Sequence, residues 1–206
     1  MGLINLLVQD PFTFVLVAVA LLYSIIVHEL AHAWVADRMG DSTARWMGRL
    51  TLNPLSHLDP IGTIMLFFVG FGWAKPVPVN FENLHPMRRG MVMVSAAGIT
   101  ANMFLAFVAL LLFRLFSPES VSMRELLSFT AQINIMLAAF NLIPIPPLDG
   151  SRILLAFLSQ RTQYTMARIE PYGMFIIVGL LYIGALNPLI YFFRWLILNL
   201  IGLFLL

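Results

Sequence analysis

Two histidines four residues apart, with a glutamate beside the first, are the residues of this chain best suited to chemistry: His28-Glu29-Leu30-Ala31-His32. On a helix that spacing stacks both imidazoles on one face, where they can bind one metal ion. Glu29 adjoins the first ligand and can act as general base toward a water polarised by the metal, the chemistry of H-E-x-x-H hydrolases. In a soluble protein the bare motif is a weak signal. Here it closes an apolar run, Phe12 to Ala36, that carries almost nothing else charged. Each ionisable group in hydrocarbon must overcome roughly 2 kcal/mol or more, so a membrane helix that keeps such groups usually uses them.

A catalytic zinc usually takes three protein ligands and leaves a fourth position open. There is no cysteine, so the third donor must be nitrogen or oxygen. His57 and His85, the remaining histidines, read more easily as interfacial polar residues in loops. Asp149 is the better candidate. It is the only acid in the apolar stretch Asn141-Leu142-Ile143-Pro144-Ile145-Pro146-Pro147-Leu148-Asp149-Gly150. Three prolines unwind that stretch, and non-helical backbone at membrane depth is tolerated where it lines a cavity or is buried in protein. The competing reading is that Asp149 only caps a helix starting near Ser151. Spacing leaves the two level.

The chain that must position these groups has 206 residues, 60% of them hydrophobic and 11% charged. Such a composition belongs to a polytopic α-helical membrane protein and excludes a soluble domain of ordinary make-up. The length suits one domain over residues 1–206, with a core at about 11–160 and a hydrophobic block at 172–206. A net charge of +2 argues against a nucleic-acid surface; the basic residues read as topology signals. Met1 to Asp10 lacks Lys and Arg, unlike a cleaved signal peptide, so the first span is expected to be retained.

Three core spans are predicted. The first runs from Phe12 to about Ala36, roughly 37 Å of helix, with Gly40 as its terminator. The second covers Gly90 to Phe116, where Ser95, Ala96, Ala97, Gly98 and Ala101 form a small face for close packing. The third covers Leu126 to Leu148 and is broken by its prolines. Between the first two spans, Arg45 to Leu52 partly alternates and Lys75-Pro76-Val77-Pro78-Val79-Asn80 reads as an extended edge. Ile61 to Trp73 is too short for a span. These features predict a small membrane-edge β-sheet plus a re-entrant segment. Ser151 to Gln160 reads as a short surface helix. The last block is interrupted at Asn187-Pro188 and holds one broken element or a hairpin of two spans.

Arg38, Arg45, Arg49, Lys75, Arg88 and Arg89 lie between spans one and two, and Arg152, Arg161 and Arg168 follow span three. Only Arg114 and Arg124 lie between spans two and three. The positive-inside rule then puts the N-terminus outside. His28, about 24 Å along the helix from Phe12, falls toward the cytoplasmic side.

H-E-L-A-H on a first core span, followed far downstream by N-x-x-P-x-P-x-x-D-G, resembles the site-2 protease family of intramembrane zinc metalloproteases. Leu52 to Thr63 (LNPLSHLDPIGT) and Gly72 to Asn80 (GWAKPVPVN) are also similar to it. The resemblance implies one Zn2+ held by His28, His32 and Asp149, with Glu29 as catalytic base. It implies that Asn141, near the scissile peptide, stabilises the oxyanion through its amide; an interhelical hydrogen bond is the plainer role for that side chain. Gly98-x-x-x-Asn102 resembles a small-residue motif of the second core span, with Gly98 better read as packing. The region 44–80 would present an extended substrate by strand addition. The implied substrates are single-span membrane proteins, cleaved in regulated intramembrane proteolysis in a bacterial or archaeal cell membrane. The chain is similar to the minimal branch that lacks inserted or appended regulatory domains. Oligomeric state is not readable.

Two other functions compete. A zinc-binding transporter or sensor without hydrolysis would want polar residues along a path through several spans, and spans two and three offer few. An inactive helix-binding scaffold would need a damaged site, whereas every expected residue is present.

Overall fold

The computed structural model describes residues 3–69 and 72–205. A short helix α1 (Leu3–Gln9) leads into α2 (Pro11–Arg38), which Asp10 caps by accepting a 3.0 Å bond from Thr13 N–H. Met39 ends α2. Gly40 then takes φ +108°, and Asp41 N–H returns to the Ala36 carbonyl at 2.9 Å. That left-handed step is open to glycine at no steric penalty.

A one-turn helix α3 (Thr43–Trp46), a short helix α4 (Pro60–Val69) and two 3-10 turns fill the connection to α5 (Met87–Phe116). α6 (Val121–Asn141) runs back beside α5. The chain then turns through 142–148 into α7 (Asp149–Leu155), followed by α8 (Gln160–Ile169), α9 (Gly173–Tyr182) and α10 (Asn187–Leu205). The protein is thus helical and polytopic in character. Among the described residues, three helices are long and apolar enough to cross a membrane: α2, α5 and α10. α6 has the length, but Ser122, Arg124, Glu125, Ser128, Gln132 and Asn134 dilute its hydropathy.

The bundle closes through small residues, as membrane helices do. Ala20, Ser24, Ala33 and Ala36 are buried on α2; Gly90, Ser95, Gly98, Ala106 and Ala109 on α5; Ala131, Ala138 and Ala139 on α6. One apolar core joins Ile99 and Ala106 of α5, Ile135 of α6, and Ile197 and Ile201 of α10. A second joins Ile143 and Leu148 of the proline turn to Ile177 of α9 and Ile190 of α10.

Several expectations are corrected. Among the described residues there is no strand in the region 44–80, only a single antiparallel bridge between Leu58 and Ala74. Lys75 N–H bonds the His57 carbonyl at 2.8 Å, and beyond it the extended segment 75–80 is held by side chains. Arg49 Nη2 donates to the carbonyls of Lys75 (2.7 Å) and Pro76 (3.2 Å). Glu29 Oε2 accepts from Val77 N–H at 2.8 Å, and Asp41 Oδ2 accepts from Asn80 N–H at 2.7 Å. Pro76 and Pro78 have no N–H to give a ladder, so charged side chains do the work of a neighbouring strand. The expected re-entrant stretch contains α4; its Gly70 and Phe71 lie outside the described residues.

Near the C-terminus, the expected surface helix at 151–160 is α7, which starts two residues earlier with Asp149, Gly150 and Ser151 buried. The last block is broken into two helices, of which α10 is long and apolar enough to span a membrane and α9 is not. α9 has 10 residues, about 15 Å of helix, and Gly184 at φ +74° ends it. Asn187-Pro188 begins α10 rather than interrupting it, consistent with proline's place in a first turn.

Asp41 ties the post-α2 turn to the extended segment. It is fully buried and accepts from the Thr43 hydroxyl and N–H, from Asn80 N–H and from Asn83 Nδ2. Burial pushes its carboxyl pKa up, but these donors outweigh burial and hold it below the ordinary carboxylate value. A depressed folded-state pKa contributes stability that is present above the ordinary value and lost as pH falls through the lower one. Asp41→Ala is expected to destabilise the protein by about 2–4 kcal/mol. Thermal unfolding in detergent should show this at pH 7, with the gap to wild type narrowing below about pH 4.

Candidate metal centre

His28 and His32 sit on successive turns of α2, both buried, with ring centroids 4.5 Å apart. Asp149, the first residue of α7, reaches them from the far side of the proline turn. Its Oδ2 lies 3.2 Å from His28 Nε2 and 3.2 Å from His32 Nε2, and the two Nε2 atoms are 3.0 Å apart. Among the described residues this is the group of histidine and acidic side chains able to hold a metal. His57 is buried elsewhere, with Nε2 facing the Thr51 carbonyl at 2.8 Å, and His85 is exposed; neither joins the cluster.

The turn that delivers Asp149 satisfies its own backbone. Leu142 N–H bonds the Ala138 carbonyl, Ile143 N–H that of Phe140, Ile145 N–H that of Ile143, and Leu148 N–H that of Ile145. The other three positions, 144, 146 and 147, are prolines and carry no N–H. A non-helical segment whose every donor is either used or absent can lie inside an apolar bundle. Asp149 is thus a buried carboxylate turned toward both imidazoles as well as the first residue of a helix.

The outer hydrogen bonds decide which nitrogens face the cluster. His28 Nδ1 lies 2.6 Å from Asn102 Oδ1, and His32 Nδ1 lies 2.7 Å from the main-chain carbonyl of Val94. A carbonyl can only accept, so each ring carries a proton on Nδ1 and, in its neutral form, turns an Nε2 lone pair inward. Asp149 Oδ2 is buried and has no hydrogen-bond partner. With both rings neutral, its 3.2 Å approaches to the Nε2 atoms set lone pairs against one another, an arrangement that calls for a cation between them. Two imidazole nitrogens and one carboxylate oxygen, converging with their protons turned away, fit a divalent cation. The nitrogen and oxygen donor set suits zinc. Partners on the outer nitrogens are the usual means of orienting metal-binding histidines.

Gly98 makes this approach possible. A Cβ built there would overlap the imidazoles of both His28 and His32. Val94 lies one turn before Gly98 on α5, so the bare position also opens the Val94 carbonyl to His32. The packing role expected of Gly98 is a direct one against the histidines.

Glu29 is half-buried, and its Oε2 is engaged by Val77 N–H. Val77 packs its side chain against Ala33 and Ala44. Asn141 ends α6, and its Nδ2 donates to the Leu137 carbonyl one turn back at 3.0 Å, a bond within its own helix rather than between helices. Val77 N–H, Arg49 and Asn134 join the surroundings of the site without being marked by any motif. Asn134 is an amide buried within the bundle and in principle announces itself; main-chain donors and acceptors leave no such trace.

A helical protein with membrane-length helices and a two-histidine, one-carboxylate cluster beside a glutamate has the parts of a membrane metalloprotease. Comparison with known proteins agrees: the chain belongs to the family described as Peptidase family M50, which matches residues 16–120 and 116–184. It is 41% identical over 189 residues to the Bacillus subtilis protein named "Putative zinc metalloprotease YwhC", covering 88% of this chain and 84% of that one. It is 35% identical to "Putative zinc metalloprotease Rip2" of Mycolicibacterium smegmatis, covering 87% and 73%. It is 32% identical to "Putative zinc metalloprotease MJ0611" of Methanocaldococcus jannaschii, covering 68% and 70%. No solved structure matches the chain significantly. Zinc is the metal that these names carry and that the donor set fits.

Gly98→Ala is expected to separate metal binding from folding. Alanine favours the helix by about 1 kcal/mol over glycine, yet its methyl displaces both histidines. Zinc affinity should fall by at least about tenfold, as when outer support of a ligand is lost. Metal analysis of the purified protein, with helicity by circular dichroism as the fold control, checks both halves.

Proposed function

We propose that the protein is an intramembrane zinc metalloendopeptidase that hydrolyses peptide bonds in or near the transmembrane segments of single-span membrane proteins, in regulated intramembrane proteolysis. The observation that carries this reading is the position of the cluster. His28 and His32 lie on α2, a helix of membrane length, and Asp149 is brought to them inside the bundle. The basic residues flanking the helices support a topology with the N-terminus outside and the site toward the cytoplasm of a bacterial or archaeal cell.

In this reading His28, His32 and Asp149 hold the metal. A zinc ion there would supply Lewis acidity, lowering the pKa of a water and polarising a carbonyl. The chain's own residues do the rest. Glu29 takes the proton from the attacking water and passes it to the leaving amine. Val77 N–H holds one oxygen of Glu29, which leaves the other to face the water. Asn141 keeps one amide N–H on Leu137 and offers its second to the oxygen of the reacting carbonyl.

The extended segment 75–80 is the surface along which an unwound substrate would lie. Its link through Val77 to Glu29 supports this reading, since a substrate on that segment would lie close to the base. A peptide bond must leave its helix to be attacked, because helical hydrogen bonds hide it, and an extended neighbour favours the extended form.

Glu29→Gln keeps the shape of the side chain but cannot take a proton. It is expected to retain zinc and to lose about 10²–10⁴-fold in cleavage rate of a transmembrane peptide in detergent or liposomes. Undiminished turnover in that variant would exclude Glu29 as base. Asp149→Asn should lose zinc itself, which metal analysis reads directly.

A further inference from the structure

We infer that Asn134 and Ser24 are positioning residues of the metal centre: through Asn102 they set the proton of His28 on Nδ1 and so turn its Nε2 lone pair toward the metal. This rests on His28 being a metal ligand, as proposed above.

Three helices contribute to the relay, and all three side chains are buried: Ser24 on α2, Asn102 on α5 and Asn134 on α6. Asn134 Nδ2 donates to Ser24 Oγ at 2.7 Å and to the Thr130 carbonyl at 2.8 Å. Asn102 Nδ2 donates to Asn134 Oδ1 at 2.7 Å and to the Ser24 carbonyl at 3.3 Å. Ser24 Oγ spends its own proton on the Ala20 carbonyl at 2.6 Å, so toward Asn134 it can only accept.

An amide side chain has a donor end and an acceptor end of nearly equal size, and its surroundings choose between them. Here the choice is made by main-chain carbonyls, which have no proton to give. The Thr130 carbonyl and the Ser24 hydroxyl oxygen fix the NH₂ end of Asn134, so its oxygen must point at Asn102. That oxygen and the Ser24 carbonyl fix the NH₂ end of Asn102, so its oxygen must point at His28. Asn102 Oδ1, 2.6 Å from His28 Nδ1, then requires the ring proton there. Were the Asn102 amide free to turn over, its NH₂ would face Nδ1, favour the proton on Nε2 and turn an N–H toward the metal position. His32 needs no relay, because it bonds the Val94 carbonyl directly. The asymmetry explains why amides are buried on the His28 side of the cluster.

The test is a double-mutant cycle on zinc affinity, measured on purified full-length protein in detergent by competition with a fluorescent chelator. Asn134→Ala should weaken zinc binding about tenfold, the lower end of outer-shell losses. Asn102→Asp places at 102 a carboxylate, which accepts only, so the proton stays on His28 Nδ1 whatever faces it from 134. In that background Asn134→Ala should change zinc affinity by less than about twofold, the limit of additivity error. Equal loss in both backgrounds, the signature of packing alone, overturns the inference, as does wild-type affinity in Asn134→Ala. If Asn134→Ala does not fold, Ser24→Ala exchanges two small side chains and is read in the same cycle with the same criteria. Wild-type protein that binds no zinc would overturn the metalloprotease reading itself. Wild-type protein that binds zinc while the cycle shows no coupling overturns the relay alone.

Discussion

Everything in this protein is arranged around one awkward contact: a carboxylate oxygen 3.2 Å from two imidazole nitrogens inside an apolar bundle. When the rings are neutral, none of the three atoms has a proton to offer the others, because both rings commit theirs to acceptors on their outer side. In water such a cluster would be loose and solvated. In a low-dielectric interior, facing lone pairs are favourable only around a cation. The bundle's least economical features answer to this requirement. α5 gives up a side chain at Gly98 so that the rings fit. α6 stops at Asn141, so the chain can turn and bring Asp149 inward. Three polar side chains are buried on α2, α5 and α6, where leucine would pack more simply.

The segment 75–80 shows a second economy. Its backbone is fastened by Arg49, Glu29 and Asp41, three charged residues that arrive from different parts of the chain. Glu29 thereby links the proposed substrate surface to the proposed base. A sheet would have held the segment as firmly, but it would have left the carboxylate of Glu29 without a fixed donor.

Much of this was legible beforehand. Helical spacing put His28 and His32 on one face, and apolar runs bounded by breakers located α2 and α5 to within a few residues. Gly40 ended α2 as expected, because a left-handed step favours glycine. The prolines marked the broken end of α6. Misreadings fell where pattern and partner disagree. Alternating prolines in Lys75 to Asn80 correctly announced an extended chain, yet the same prolines remove the donors that a sheet needs. In the C-terminal block an interruption was foreseen, but its place shifted: Gly184 at φ +74° divides the block, and Asn187-Pro188 starts the helix that follows.

Local chemistry, then, was enough to nominate His28, Glu29, His32 and Asp149, because residue type, spacing and the expense of charge in hydrocarbon are all properties of the linear chain. Whether Asp149 turns toward the two histidines or merely opens a helix could not be settled that way. The answer depends on the path of 142–148, where each N–H finds a carbonyl a few residues back and the end of the turn swings against α2. The same holds for the tautomer of His28. It depends on carbonyls of Thr130 and Ser24, brought together only when three helices pack, and a main-chain acceptor is identical at every position until the fold chooses which ones to use.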